Sequence, residues 1–209
     1  MNRRFSSGKR IAVVGSALGG GASQVIDAIL RGTGQVPVAI FDNNPQAMNK
    51  YILGVKVVGS SEDIPKAYSS NMFDEAVVAI GNIESRKNVY DHLVGNSIPL
   101  CNVIDPDAVI SDSAQIGVGN VVLCHSYIGP GVVIGNNCYI ITGSRVNHDS
   151  CIGDHCYLST GVSIAGRVSV GSMVKFDTAS GSAPECVIPS KAKLAPGQIA
   201  TIQNFPRSK

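Results

Sequence analysis

The second half of the chain places an apolar residue at every sixth position. Stepping by six from Ile104 gives Ile104, Ile110, Ile116, Val122, Ile128, Ile134, Ile140, Val146, Ile152, Leu158, Ile164, Val170 and Phe176. With 44% of the chain apolar, chance produces such a run with a probability on the order of 10⁻⁴, six phases allowed for. The phase resumes at Ile188 and Leu194 after a polar Ser182. Two residues before the apolar position the side chain is small or compact, as at Ala114, Ser126, Cys138, Ser144, Ser150, Cys156 and Val162. Glycine follows it at Gly117, Gly129, Gly135, Gly153 and Gly171. A helix cannot sustain a strict period of six. The pattern predicts short strands, three to a coil, forming a triangular prism with the apolar residue inside. Residues 18 apart, such as Ile116, Ile134, Ile152 and Val170, then stack on successive coils. The glycine after each apolar residue is expected to permit the corner. From 104 to 194 the run makes about five coils of a hexapeptide parallel β-helix.

The first hundred residues follow another rhythm. Arg10-Ile-Ala-Val-Val-Gly15 reads as a buried strand, and Gly15-Ser-Ala-Leu-Gly-Gly-Gly21 as a turn. Ala22 to Leu30 reads as a helix, and Val36 to Phe41 as a second strand ending at Asp42. Val55 to Val58 is a third strand, Ser60 to Ala67 a short helix, Ala76 to Ile80 a fourth strand and Glu84 to Val94 a helix. Alternating strands and helices predict a parallel sheet covered by helices. The domains are therefore a tail over 1–9, an α/β domain over 10–102, a β-helix over 103–195 and a C-terminal tail over 196–209.

The glycine turn opens a helix, where unpaired N–H groups and the helix dipole favour anions. Its spacing is not G-x-G-x-x-G, and some 90 residues make little more than one mononucleotide-binding half of a doubly wound sheet. A mononucleotide, such as that of a sugar nucleotide, fits better than a dinucleotide. Asp42 can accept hydrogen bonds from a ribose or base. A plain strand-to-helix turn is the other reading of these glycines.

Charge narrows the partners. Seventeen Lys and Arg against fifteen Asp and Glu leave +2 among 209 residues, which does not recommend nucleic acid. No apolar run approaches the ~18 residues of a membrane span. The basic start, Met1-Asn-Arg-Arg, lacks the apolar stretch of a signal peptide. Cys101, Cys124, Cys138, Cys151, Cys156 and Cys186 include no C-x-x-C pair. A cytoplasmic protein with reduced cysteines is expected. Cys138 and Cys156 lie 18 apart and should stack facing the core; a disulfide or metal pair there is the alternative.

Four histidines are candidates for chemistry. His92 falls on a predicted helix. His148 precedes Asp149 on a prism corner. A carboxylate against an imidazole fixes its tautomer and raises its basicity, as deprotonating an amine or hydroxyl requires. His125, His148 and His155 raise the question of zinc, which trimeric carbonic anhydrases of the same prism hold through three histidines. Here the three fall at unmatched phases of the repeat, and no metal is expected.

A βαβ domain followed by a hexapeptide β-helix resembles the bacterial sugar acyltransferases that include nucleotide-activated amino-sugar N-acetyltransferases and sialic-acid O-acetyltransferases. The resemblance runs from about residue 10 to 194. It rests on Val13-Val-Gly-Ser, Ile40-Phe-Asp42-Asn43, Val78-Val-Ala-Ile-Gly81-Asn82 with Arg86, Ile104-Asp-Pro-Asp-Ala-Val-Ile and, above all, Val146-Asn-His148-Asp149-Ser-Cys-Ile-Gly153-Asp154. It implies a small Rossmann-like domain, then a left-handed parallel β-helix assembled as a homotrimer. It further implies transfer of acetyl from acetyl-CoA to a nucleotide-linked amino sugar, a UDP-linked 4-amino sugar first among them, for bacterial glycan synthesis. His148 resembles the general base and Asp149 its carboxylate partner. Gly19, Gly20, Gly21, Asp42, Asn43 and Gly81 resemble the nucleotide-sugar contacts. Tyr157, Gly161 and the Gly166 N–H resemble the acetyl-CoA contacts, in a groove between adjacent β-helices. The chain departs from the family at Tyr157, where a second histidine is usual, and at Ile141, where many members have Asn before Thr142-Gly143. Lys175 to Lys193 lacks the Ile-Gly turns, and Asn204-Phe-Pro-Arg only loosely resembles the usual ending. O-acetylation of a sialic acid and a non-catalytic sugar-nucleotide scaffold are the rival readings.

Overall fold

A computed structural model describes residues 8–15, 18–203 and 205. Parts of the glycine turn, of the N-terminal tail and of the Asn204-Phe-Pro-Arg ending lie outside these. The chain divides into two compact units after Asp105.

In the first unit the elements are β1 (Lys9–Val14), α1 (Gly21–Arg31), β2 (Gln35–Phe41), β3 (Tyr51–Ile52), β4 (Val55–Gly59), α2 (Ile64–Ser69), β5 (Glu75–Val78) and α3 (Ile83–Gly95). The sheet order is β3-β4-β2-β1-β5. β1 lies between β2 and β5, parallel to both. Its Ile11 to Val14 are buried on both faces, as a central parallel strand requires. The sheet is not wholly parallel, because β3 pairs antiparallel with β4. Leu53 and Gly54 both take positive φ, 47° and 83°, the two-residue turn that suits a hairpin. Lys9 pairs with Glu75 across the β1–β5 seam. Arg10 clamps Asp74 beside them. Its backbone N–H reaches Oδ2 at 2.7 Å and its guanidinium reaches Oδ1 at 2.6 Å. Hydrogen bonds from the Arg10 side chain and backbone hold the Asp74 carboxyl at about 2.

The second unit is a left-handed parallel β-helix of two-residue strands. Its strands pair in parallel with those 18 residues away, as Ile134 does with Ile116 and Ile152. The three faces include the strands Val109–Ile110 to Ile199–Ala200, Gln115–Ile116 to Val187–Ile188, and Val121–Val122 to Lys193–Leu194. Most of the predicted set forms the interior. Val122, Ile128, Ile134, Ile140, Val146, Ile152, Leu158, Ile164, Val170 and Phe176 are buried, and Ile110 and Ile116 pack against them partly buried. Ile104, expected inside, is exposed on the first strand of the run. The prism also outlasts the stretch read as β-helix. Ile199–Ala200 pairs with Gly181–Ser182, so the segment from residue 196 begins with one more strand. Cys138 and Cys156 face the core, and their thiols donate to the carbonyls of Gly153 and Gly171 at 3.2 and 3.1 Å.

The corner chemistry differs from expectation. From Ile116 onward each corner turns on the residue three beyond the apolar position, not on the glycine directly after it. Positive φ recurs at Gly119, His125, Gly131, Asn137, Gly143, Asp149, His155, Gly161, Arg167, Met173, Ala179, Glu185, Lys191 and Gly197. Such a conformation costs a non-glycine residue about 1 kcal/mol. A coil-to-coil hydrogen bond offsets it, as from Asp149 N to Pro130 O at 3.0 Å and Arg167 N to His148 O at 2.9 Å. The glycines after the apolar residue serve close approach instead. A methyl group on Gly153 would lie 2.7 Å from the Gly171 carbonyl carbon, and one on Gly135 would lie 3.0 Å from that of Gly153.

Gly153→Ala is therefore expected to destabilise the chain by about 1–3 kcal/mol, the usual cost of overpacking, measured by urea unfolding. Stability equal to wild type would show that the coils do not approach so closely. Asp74→Asn is expected to lower the urea midpoint at neutral pH. Because the folded carboxyl lies below its ordinary value of about 4, its contribution is complete above that value. It is lost as pH falls toward about 2, so the gap between variant and wild type should close over that window. A gap independent of pH would refute the clamp.

Candidate active site

Two sites emerge, one in each unit. The β-helix site begins at Val146, buried in the prism. The next residue, Asn147, donates through Nδ2 to Ile164 O at 2.7 Å, fastening the approach to the corner onto the following coil. His148 and Asp149 form the corner, with Asp149 at φ 57°. His148 Nδ1 lies 2.9 Å from Asp149 Oδ2. Both side chains are open to solvent, at 50% and 63% of their surface. A carboxylate accepts and never donates, so Nδ1 carries a proton, and in the neutral ring Nε2 presents its lone pair.

That lone pair sits by Gly166, one coil on. A methyl group at Gly166 would be 2.5 Å from Nε2 and 2.7 Å from Cε1. The imidazole thus occupies the place of a side chain at 166. The corner column is Pro130, His148, Gly166 and Pro184. Two of the four are prolines, which have no N–H, so the coil ladder does not use this amide. Among the described residues the Gly166 N–H has no hydrogen-bond partner, and it stands beside the imidazole.

The other candidates of the β-helix lie elsewhere. Gly161 turns the corner that His125 and Gly143 also occupy, and His155 turns the third corner with its Nδ1 2.8 Å from Asn137 Nδ2. Tyr157 lies on the strand between those corners, its ring 5.8 Å from that of Tyr139. Within one chain, then, His148, Asp149 and Gly166 come together, while Tyr157 and Gly161 stand apart from them. The three β-helix histidines occupy three different corners, and among the described residues no cluster of His, Cys, Asp and Glu could hold a metal ion. No helix among them is long and apolar enough to cross a membrane.

The first unit holds a cavity of about 380 Å³, lined by Gly15, Asp42, Asn43, Ser61, Ser85 and Asn88 among others. It lies past the carboxyl ends of β1, β2 and β5. There the strand order reverses about β1, with β2 and β4 on one side and β5 on the other, the place where open α/β sheets bind ligands. Asp42 Oδ1 accepts from Asn44 N at 2.8 Å. Asn43 Oδ1 accepts from both the N–H and the hydroxyl of Ser61, at 2.8 and 2.9 Å. Gly20 caps α1 with φ 83°. Gly19, Gly20 and Gly81 are exposed, Gly21 is half-buried, and they are not among the residues that line the cavity. Arg86 is buried and braces the loop after β5, donating to Ile80 O at 2.9 Å and Gly81 O at 3.3 Å. Ser85 and Asn88 were not anticipated. Their signal was present as polar residues three apart just inside a helix capped by Asn82, whose Oδ1 accepts from Ser85 N at 2.9 Å.

Known proteins share this fold. Residues 10–93 match the family model of the PglD N-terminal domain. A variant of the GDP-perosamine N-acetyltransferase of Caulobacter crescentus, solved in complex with CoA and GDP-perosamine, is 29% identical. It aligns over 90% of this chain and 87% of its own, with a TM-score of 0.84. PerB of the same organism, with the same two molecules, is 29% identical, aligns over the same shares and gives a TM-score of 0.82. The acetyltransferase domain of PglB from Neisseria gonorrhoeae, in complex with acetyl coenzyme A, is 24% identical. It covers 93% of each chain with a TM-score of 0.80 and is alike in fold. No curated protein sequence matches the chain. The chain is similar, over nearly its whole length, to bacterial sugar acyltransferases built from an N-terminal α/β domain and a hexapeptide β-helix.

Proposed function

We propose that the chain is an acetyl-CoA-dependent N-acetyltransferase acting on the amino group of a nucleotide-linked amino sugar. The observation that carries this reading is the His148–Asp149 pair, with its Nε2 lone pair beside the unpartnered N–H of Gly166. The likeness to an N-acetyltransferase solved with CoA and a nucleotide-linked sugar supports it.

The chemistry follows from those groups. A protonated amine has no lone pair with which to attack, so the nucleophile is the neutral amine, formed by loss of its extra proton to solvent before the step. His148 Nε2 takes a proton from the amine as its nitrogen bonds to the thioester carbonyl carbon. The Gly166 N–H is placed to donate to the oxyanion that forms. When the C–S bond breaks, the proton on Nε2 passes to the departing CoA thiolate, and His148 is again neutral. Asp149 holds the tautomer throughout. Asp42 and Asn43 would hold the nucleotide in the cavity of the first unit, near the α1 N-terminus at Gly19, Gly20 and Gly21 and the loop at Gly81. Holding both substrates supplies orientation.

Tyr157 and Gly161 stand on another part of the prism from His148. A homotrimer, in which one copy brings these residues to the His148 corner of the next, reconciles the acetyl-CoA contacts with this geometry. A mass of three chains by light scattering is expected at micromolar concentration, and a monomer there would overturn the shared groove.

Thiol release from acetyl-CoA against UDP-, GDP- and dTDP-linked amino sugars and free sialic acid tests the reaction. One nucleotide-linked amine should react rapidly, and release with sialic acid alone would move the chain to O-acetylation. His148→Ala should lower turnover by about 10²–10⁴ while leaving the fold intact. Turnover unchanged from wild type would sink the role of His148.

A further inference from the structure

The Asp149 carboxylate is 63% exposed, yet it points at His148 Nδ1. So open a side chain has other rotamers available, and its direction needs a cause outside its own coil. The corner column that contains it is Ser113, Gly131, Asp149, Arg167 and Glu185. Of these only position 131 lacks a side chain. A methyl group at Gly131 would lie 2.6 Å from Asp149 Oδ1, so the carboxylate fills the volume that a side chain there would take. On the opposite flank, Arg167 donates through Nε to Glu185 Oε1 at 3.1 Å, one coil further on.

The backbone does not explain this glycine. Gly131 has φ 67°, but Asp149, Arg167 and Glu185 hold the equivalent corners at 57°, 59° and 63°. A non-glycine residue is tolerated at this corner on three successive coils. The amide of Gly131 is also tied down, donating to Ser113 Oγ at 3.1 Å. What remains specific to position 131 is the space it leaves for the carboxylate.

We propose that Gly131 is a positioning residue for the reaction, acting through Asp149 on His148. The empty site lets Asp149 lie back over the preceding coil, where Oδ2 meets Nδ1 and keeps the lone pair on Nε2. A side chain at 131 displaces Oδ1, the mobile end of Asp149, and the imidazole loses its tautomer partner while the coil ladder stays intact. This rests on the reading of His148 and Asp149 as the catalytic pair.

The test is a double-mutant cycle in the full chain, with thiol release as the assay. Gly131→Ala should lower kcat by about 10- to 100-fold and leave KM for both substrates within about twofold, since the group it displaces is the tautomer partner of His148 and not a binding contact. In an Asp149→Ala background the same substitution should cost nothing further, because no carboxylate remains to displace. Gly197→Ala controls for backbone strain: its φ is 69° and a methyl group there meets nothing within 4 Å, so it should keep full activity and a similar melting temperature to Gly131→Ala. The ¹⁵N shifts of the His148 ring, read without turnover, should show the Nδ1–H tautomer in wild type and lose it in Gly131→Ala. Equal losses from Gly131→Ala in both backgrounds, or full activity of the single variant, would overturn the role of Gly131 alone. Full activity of Asp149→Ala would instead overturn the reading of the pair, and the role of Gly131 with it.

Discussion

The coil-to-coil hydrogen-bond ladder of the β-helix is the constraint on which the rest of that unit depends. It forces every residue to lie over the one 18 positions before it. That translation makes the prism interior a set of stacked columns, so that an apolar position every six residues, joined by the compact residue two before it, makes a core. It brings the Gly117, Gly135, Gly153 and Gly171 backbones within van der Waals distance of their neighbours. It also brings together residues remote in sequence, so that a corner on one coil is furnished by the coils on either side.

The site is a consequence of that stacking. His148 and Asp149 are neighbours in sequence, but the volumes their side chains occupy belong to other coils. The imidazole lies over Gly166 and the carboxylate over Gly131. Prolines at 130 and 184 mark a corner position whose amide the ladder does not use. At 166 that amide survives beside the imidazole. Among the described residues the fold therefore sets an imidazole against a residue whose N–H is unpartnered, one coil on, with no long loop to place either. The price is a corner conformation that few side chains favour, and the ladder bond at each corner meets it.

The first unit is organised differently. Its cavity is set by strand ends, and the residues that shape it are occupied in holding one another. Asn43 secures Ser61, Asp42 secures the turn at Asn44, and Arg86 secures the loop at Ile80 and Gly81. Such a pocket is preformed, which lowers the cost of ordering a ligand within it.

The period of six, read along one strand of text, determined the prism, its inward residues and the place of the His148–Asp149 corner. It could do so because the repeat is local and each coil reuses the same rule. The alternation of β1 to β5 with helices was legible for the same reason, as was Asp42 at the end of β2. The antiparallel edge β3 was not, since two residues carry no periodicity. Nor was the division of labour among the glycines. Gly153 and Gly131 look alike in a sequence, yet one is packed against backbone and the other holds space for a carboxylate. Ser85 and Asn88 became part of a cavity only when the start of α3 met the chain at the ends of β1 and β2. A sequence records which residue stands at each position and its near neighbours. What lies 18 or 40 residues away, and how much room it leaves, is decided when the chain is folded and volumes exclude one another.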